Sequence, residues 1–315
     1  MDHFRGPTRP DSLRSMADIT TFDSPVLTLE QDEHVATVWL DRPEARNAMG
    51  MDLWRDLPQA MTAVSQASSV RAVVIAAKGP HFTVGLDLKA MGNLLAGGGE
   101  GSGAGSGSGA GAGAGRGSDA GSAPSMAARA RDARTEVLRL QSSITSVAAC
   151  PKPVIAAVHG YCIGGGVDLI AACDIRLASA DALFSVREAK MAIVADLGSL
   201  QRLPAIISAG HLAELAFTAK DISAERAKEI GLVNDVCGDA EGVLKAARTL
   251  AAEIAANSPI AVQGTKAVLA ANEGRTVAEG LDYVATWNAG MLASDDLTEA
   301  VTAFLDKRPP RFTGR

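Results

Sequence analysis

The chain has 315 residues, a formal net charge of −6 and 47% hydrophobic residues. That is enough for one large domain or two ordinary ones with a sizeable core, and the negative balance excludes a broad basic surface of the kind that binds nucleic acid. Cysteines at positions 150, 162, 173 and 237 form no C-x-x-C pair, so zinc and dithiol spacings are absent and a reduced setting is expected.

The first stretch, MDHFRGPTRPDSLRSMADIT, is polar and lacks the apolar centre of a signal peptide. Its Arg and Ser content is that of a transit peptide, but Asp2 and Asp11 and the lack of an amphipathic period oppose that reading. A disordered extension over residues 1–24 and a cytoplasmic location are expected, with Met16 an alternative start. No apolar run reaches the roughly 18 residues that span a bilayer. The most apolar stretch, Val154 to Cys173, is broken by His159 and by glycines.

Order is expected from near Val26. His34 to Leu40 (HVATVWL) is rich in β-branched residues and predicts a strand that Asp41, Arg42 and Pro43 end. Residues 50–67 predict a helix with Pro58 inside it. Arg71 to Ala77 (RAVVIAA) predicts a strand buried on both faces. From Gly97 to Gly117 glycine fills about every second position, and such a segment has too little side chain to offset its backbone entropy. A flexible insertion over about residues 93–125 is therefore expected.

Helix-forming sequence resumes near Ala127. Val154 to Val158 predicts a third strand, followed by glycines 164–166 and a helix, and Asp174 to Ala178 a fourth strand. Residues 211–218, 223–230 and 239–256 look helical. Ser258 and Pro259 form an N-cap and first-turn pair, and Thr276 to Leu292 continues the helical character. Strands alternating with helices and then a helical tail predict an α/β core, residues 25–257, with a helical region over 258–315.

The strongest chemical signal is His159-Gly160-Tyr161-Cys162-Ile163-Gly164-Gly165-Gly166-Val167-Asp168-Leu169. A buried strand runs into consecutive glycines and a helix start, where backbone N–H groups are unpaired and a ligand can approach closely. It is not a dinucleotide fingerprint, since G-x-G-x-x-G is absent. Phe82-Thr83-Val84-Gly85-Leu86-Asp87-Leu88, after the strand at 71–77, is weak alone.

Together, FTVGLDL, then HGYCIGGGVDL and CDIR, resemble the crotonase, or enoyl-coenzyme A (CoA) hydratase/isomerase, superfamily from about Val26 to Phe312. The resemblance implies a crotonase-type ββα spiral core with a C-terminal α-helical region that mediates oligomerisation. It implies an oxyanion hole formed by the amides of Leu86 and Gly165, with backbone donors worth roughly 3–4 kcal/mol each at a transition state. It also implies that Asp168 and Glu188 stand at the positions of the family's two catalytic carboxylates. Asp196, in VADLGSLQRLP, is an additional acid, and the three together look like the Δ3,5-Δ2,4-dienoyl-CoA isomerase subgroup.

In that subgroup's chemistry one carboxylate removes a proton at carbon 2 and a carboxylic acid returns one at carbon 6. Glu188 is assigned as base and Asp168 as acid, with Asp196 tuning or orienting the pair; the two aspartates can exchange roles. The resemblance also assigns substrate contacts to Ala45, Arg46, Ala48, Val84, Gly85, Asp87, Leu88, Phe304 and Lys307. Local readings compete with these. Asp168 could serve only the helix dipole, Asp196 could cap a helix near Ser199, and Lys307 could belong to a solvated basic tail. Cys162 is expected to be a core residue rather than a nucleophile.

The expected partner is an acyl-CoA thioester, with no metal or redox cofactor, no nucleic acid and no membrane span. A homotrimer or homohexamer is expected. The rival activities are 2-enoyl-CoA hydration and a non-catalytic acyl-CoA-binding or RNA-binding role.

Overall fold

The structure, a computed structural model, describes residue 19, residues 22–89 and residues 125–315. The expected N-terminal extension and glycine insertion therefore lie almost wholly outside the described residues.

A hairpin opens the fold: β1 (Leu27–Asp32) pairs antiparallel with β2 (Val35–Leu40). Next come α1 (Met51–Gln66), β3 (Ala72–Ala77), α2 (Met126–Ala148) and β4 (Val154–Val158). After β5 (Tyr161–Ile163) and α3 (Gly165–Ala171) come β6 (Ile175–Ala178) and β7 (Leu183–Ser185). Short α4 (Ser199–Arg202) precedes α5 (Ala209–Thr218), β8 (Ile222–Ser223), α6 (Ala224–Glu229) and β9 (Asp235–Val236). The chain ends in α7 (Ala240–Ala255), α8 (Pro259–Ala271), α9 (Val277–Met291) and α10 (Asp295–Leu305).

The main sheet has strand order β1-β2-β3-β4-β6-β9 and is parallel from β2 onward. β3 and β4 are buried at every residue, as their unbroken apolar sequence requires. Their alternate side chains enter two cores. Val73, Ile75, Val154 and Ala156 pack with Leu53, Leu57, Ala60, Met61 and Val64 of α1. Val74, Ala76, Ile155 and Ala157 pack with Val243, Ala247, Ala251 and Ala255 of α7, whose spacing of four makes one helical stripe. Burial of the α1 stripe holds that helix together despite Pro58 at its centre.

A second sheet, β5-β7-β8, escapes prediction because its strands have three, three and two residues, too few to show a period. It carries the glycine loop and the segment containing Glu188. Among the described residues no helix is long and apolar enough to cross a membrane.

Candidate active site

The site begins where the segment after β3 is wedged between two others. Thr83 is fully buried; its hydroxyl donates to the Asn47 carbonyl at 2.6 Å and accepts the Gly85 amide at 3.1 Å. Its backbone amide donates to the Tyr161 carbonyl at 2.8 Å, while its carbonyl accepts from Ile163 at 3.3 Å. On the opposite side Met49 donates to the Gly85 carbonyl at 2.8 Å and accepts from the Asp87 amide at 3.0 Å. Leu86 lies opposite Met49 in this parallel bridge, so its own N–H points away from Met49. It donates to no described residue. Gly85 holds φ at +86°, and a Cβ there would lie 2.8 Å from the Ile163 carbonyl oxygen. Only glycine allows this approach of two backbones.

The second loop supplies the other donor. The Gly164 amide donates to Ser185 at 2.9 Å, and its carbonyl accepts from Val167 at 2.7 Å. Gly165 is the first residue of α3, where an amide has no intrahelical partner, and it too donates to no described residue. The glycines are packed tightly. A Cβ on Gly165 would lie 2.9 Å from Met49 Sδ, and one on Gly166 2.5 Å from Thr83 Cγ2.

These segments wall a cavity of about 130 Å³. Val84, Gly85, Leu86 and Leu88 line it from the first loop, and Ile163, Gly164 and Gly165 from the second. Arg187, Glu188, Met191 and Ile193 line it from the turn after β7. One face is thus apolar, and beside it lie two backbone amides that donate to no described residue, together with Arg187 and Glu188.

The three acids occupy different environments. Glu188 is on the cavity wall, with Oε2 buried and without a hydrogen-bond partner among the described residues. Burial pushes its carboxyl up to about 7, and the negative charges of Asp168 and Asp196 push the same way. Asp168 is 1% exposed, inside α3, and its Oδ1 accepts the Ser199 amide at 2.5 Å. Burial pushes it up to about 6 against that hydrogen bond. Asp196 is exposed, its backbone carbonyl accepting from Gln141 Nε2 at 2.7 Å. The protein packed against its side chain raises its carboxyl too. Neighbouring acids pushed upward in this way can hold protonated and ionised forms together near neutrality.

Other expected residues are sorted less evenly. Val84, Gly85 and Leu88 line the cavity; Asp168 and Asp196 are not on its wall. Ala45 ends a one-turn helix, Pro43–Ala45, and Arg46 follows at φ +52°. Asn47, not singled out in the sequence, anchors this turn by donating to the Lys78 and His81 carbonyls, each at 2.9 Å. Ala48 separates Asn47 from Met49. Asp87 is engaged by the Arg42 guanidinium at 2.8 Å, which gives it a structural duty. Phe304 is 82% exposed near the end of α10, and Lys307 follows at φ +54°; neither lines the cavity of its own chain. The structure also places Asp168, rather than Asp196, against the start of α4. Burial pushes the Cys162 thiol well above its usual range, as befits a core group. Arg187 was missed: a charged residue one position before a suspected base gives no local sign that it enters a pocket.

A sequence model of the family described as enoyl-CoA hydratase/isomerase matches residues 30–100 and 116–315. The chain is 42% identical over 287 residues to the peroxisomal Delta(3,5)-Delta(2,4)-dienoyl-CoA isomerase of Arabidopsis thaliana, covering 91% of this chain and 95% of that protein. It is 42% identical over 277 residues to the mitochondrial enzyme of that name from Mus musculus, covering 88% and 78%. A crotonyl-CoA hydratase from Syntrophomonas wolfei is 32% identical, covering 92% and 98%. The crystal structure of an enoyl-CoA hydratase from Bacillus anthracis superposes with a TM-score of 0.76 at 28% identity, over 92% of this chain and 100% of that one. This chain belongs to the enoyl-CoA hydratase/isomerase family and has its crotonase fold.

Proposed function

We propose that the protein is a Δ3,5-Δ2,4-dienoyl-CoA isomerase of fatty-acid metabolism. The observation that carries this reading is Glu188 on the cavity wall beside the Leu86 and Gly165 amides, which donate to no described residue, with two further carboxyl groups in electrostatic reach. The relatives of that name at 42% identity support it.

The substrate thioester oxygen accepts from the Leu86 and Gly165 amides. Ionised Glu188 takes a proton from carbon 2, and the electron pair spreads through carbons 3 to 6 and onto that oxygen. A protonated aspartate returns a proton at carbon 6, leaving double bonds at carbons 2 and 4. The amides stabilise the oxyanion without having to reorganise. Oxidation state is unchanged, so the reaction is formulated with no metal or redox cofactor, and CoA enters as part of the substrate.

Burial favours exchanging the aspartates' expected roles. Asp196 is open to approach, while Asp168 lies behind the loop with its oxygen committed to Ser199. Asp196 is therefore the acid, and Asp168 tunes the pair from beneath. The CoA contacts of Ala45, Arg46, Ala48, Phe304 and Lys307 belong to this reading, with the last two reaching a neighbouring subunit. Leu269, Val277, Leu281, Val301 and Phe304 expose large apolar surfaces on the C-terminal helices. A homotrimer or homohexamer would cover them, and sedimentation equilibrium tests that assembly. A cytoplasmic location is proposed, and cell fractionation tests it.

The deciding assay offers 3,5-dienoyl-CoA and 2-enoyl-CoA separately and follows absorbance. Formation of the conjugated 2,4-dienoyl chromophore supports isomerisation. Loss of the enoyl chromophore alone would favour hydration, the activity named for the 32% identical relative.

A further inference from the structure

Thr83 is fully buried and sets different groups of its own against the two segments that carry the oxyanion amides. Its hydroxyl serves the first. Oγ1 accepts the Gly85 amide at 3.1 Å and donates to the Asn47 carbonyl at 2.6 Å. The bond from Gly85 holds the peptide plane on that residue's N-terminal side. The plane on its C-terminal side is held by Met49, whose amide donates to the Gly85 carbonyl at 2.8 Å. In a trans peptide C=O and N–H point opposite ways, so the grip on that carbonyl aims the Leu86 N–H away from Met49. The rest of Thr83 serves the second segment. Its backbone amide donates to the Tyr161 carbonyl at 2.8 Å, and its carbonyl accepts the Ile163 amide at 3.3 Å. Its Cγ2 stands 2.5 Å from where a Cβ on Gly166, next to Gly165, would lie.

We infer that Thr83 is a positioning residue for the reaction, whose hydroxyl aims the Leu86 amide while its backbone and methyl hold the segment of the Gly165 amide beside it. This rests on reading the cavity as an acyl-CoA site with an oxyanion hole. Thr83 is not on the cavity wall, so it acts through the amides and not on the substrate. Packing alone would be served by valine, which has the same shape without the hydroxyl. Charge gathers on the thioester oxygen only as carbon 2 loses its proton. A donor turned off its line therefore costs most at the transition state and little in the ground state. The hydroxyl should govern kcat rather than substrate affinity.

The test uses the full-length protein in two pairs that differ at the hydroxyl. Wild type is set against Thr83→Val, and Thr83→Ser against Thr83→Ala, both of which lack the methyl. The second pair carries the comparison if the valine variant does not fold. Turnover is measured with saturating 3,5-dienoyl-CoA, and affinity for a saturated, unreactive acyl-CoA by calorimetry. Slight misplacement of a catalytic group corresponds to roughly a 10- to 100-fold loss of rate. Thr83→Val should lose kcat by that factor against wild type, and Thr83→Ala against Thr83→Ser, with affinity nearly unchanged. Thr83→Ser should stay close to wild type. The infrared carbonyl stretch of a bound, isotope-labelled saturated thioester, lowered by hydrogen bonds at its oxygen, should move back toward its free value in both hydroxyl-free variants. Folded hydroxyl-free variants as fast as their partners, Thr83→Ser as slow as Thr83→Ala, or an unmoved carbonyl stretch would overturn the inference. So would kcat and affinity falling together, the mark of a merely structural role. Wild type inactive on both 3,5-dienoyl-CoA and 2-enoyl-CoA overturns the inference together with the function it rests on. Wild type that only hydrates 2-enoyl-CoA overturns the isomerase reading, and the same pairs then decide the inference on that substrate. Active wild type with unaffected variants overturns the inference alone.

Discussion

The Asp168 carboxylate accepts the Ser199 amide at 2.5 Å, tying the glycine-loop helix to the short helix that follows Asp196. One buried acid thus joins the segment bearing the Gly165 amide to the segment bearing the exposed acid. The arrangement is costly at neutral pH, because burial opposes the ionised form more than the hydrogen bond favours it. Retaining such a group suggests a use beyond packing.

The sign of that cost is testable. Asp168 titrates near 6 when folded, above the 3.8 of a free aspartate. The folded protein therefore holds this proton more tightly than the unfolded chain. Its contribution is most favourable below about pH 4 and is lost as pH rises through about 6, by about 3 kcal/mol at most. Asp168→Asn keeps an acceptor for the Ser199 amide while removing the buried charge. The variant should be more stable than wild type at pH 8 by roughly 1–3 kcal/mol, with the gain vanishing toward pH 4. Denaturant melts at both pH values check this; a variant less stable at pH 8 than at pH 4, each relative to wild type, contradicts the burial account.

The rate should carry its own pH signature. Glu188 must be ionised to act as base, and its carboxyl is pushed up to about 7. Because Asp196 must also carry the proton it delivers, kcat/KM should be bell-shaped, with one limb near neutrality where Glu188 ionises rather than only in the ordinary glutamate range near 4.3. A kcat/KM profile from pH 5 to 9 measures the limb, and a midpoint below 5 would remove Glu188 as a desolvated base.

Much of the core was legible because it is local. AVVIAA and VIAAV read as buried strands, and the Ser258 cap is present, its side chain accepting from the Ala261 amide. The glycine run was legible as a loop that something must approach. What approaches it was only partly so: Met49 and Thr83 crowd Gly165 and Gly166 across long stretches of chain. The same holds for the Asp168 to Ser199 bond and for Arg187 on the cavity wall, since tertiary contacts leave no periodic trace in either partner. Nor does the sequence announce Asp296, which is buried and accepts from Ser258 Oγ and the Thr313 and Gly314 amides to hold the C-terminal residues against α8.

Two glycine substitutions should separate the loops. Gly85→Ala places a Cβ 2.8 Å from the backbone Ile163 oxygen at a φ of +86°, so the chain must move and the Leu86 amide with it. Loss of about 1–3 kcal/mol of stability and roughly a 10²- to 10³-fold fall in kcat are expected. Gly165→Ala meets Met49 Sδ at 2.9 Å, the end of a flexible side chain, and has no positive φ to strain. It should be the milder change in both melting and turnover; the reverse order would mean that the Leu86 amide is not positioned by this close approach.

The division of labour among the acids can be decided by three amide variants. Glu188→Gln removes the proposed base from the cavity wall and should lower kcat by roughly two to four orders of magnitude. Asp196→Asn should do the same, because an acid that delivers a proton to carbon 6 must be reachable, and Asp196 is exposed. Asp168→Asn should fall less, since that carboxyl is sealed behind the loop and acts through its charge on Glu188. Its effect should appear largely as a downward shift of the pH limb that Glu188 sets, because removing a nearby negative charge makes Glu188 easier to ionise. Deuterium from solvent entering at carbon 6 reports the acid directly: with Asp196→Asn this incorporation should slow with turnover. If Asp168→Asn instead abolishes turnover at every pH while Asp196→Asn remains active, the buried aspartate is the proton donor and the original assignment of roles is restored.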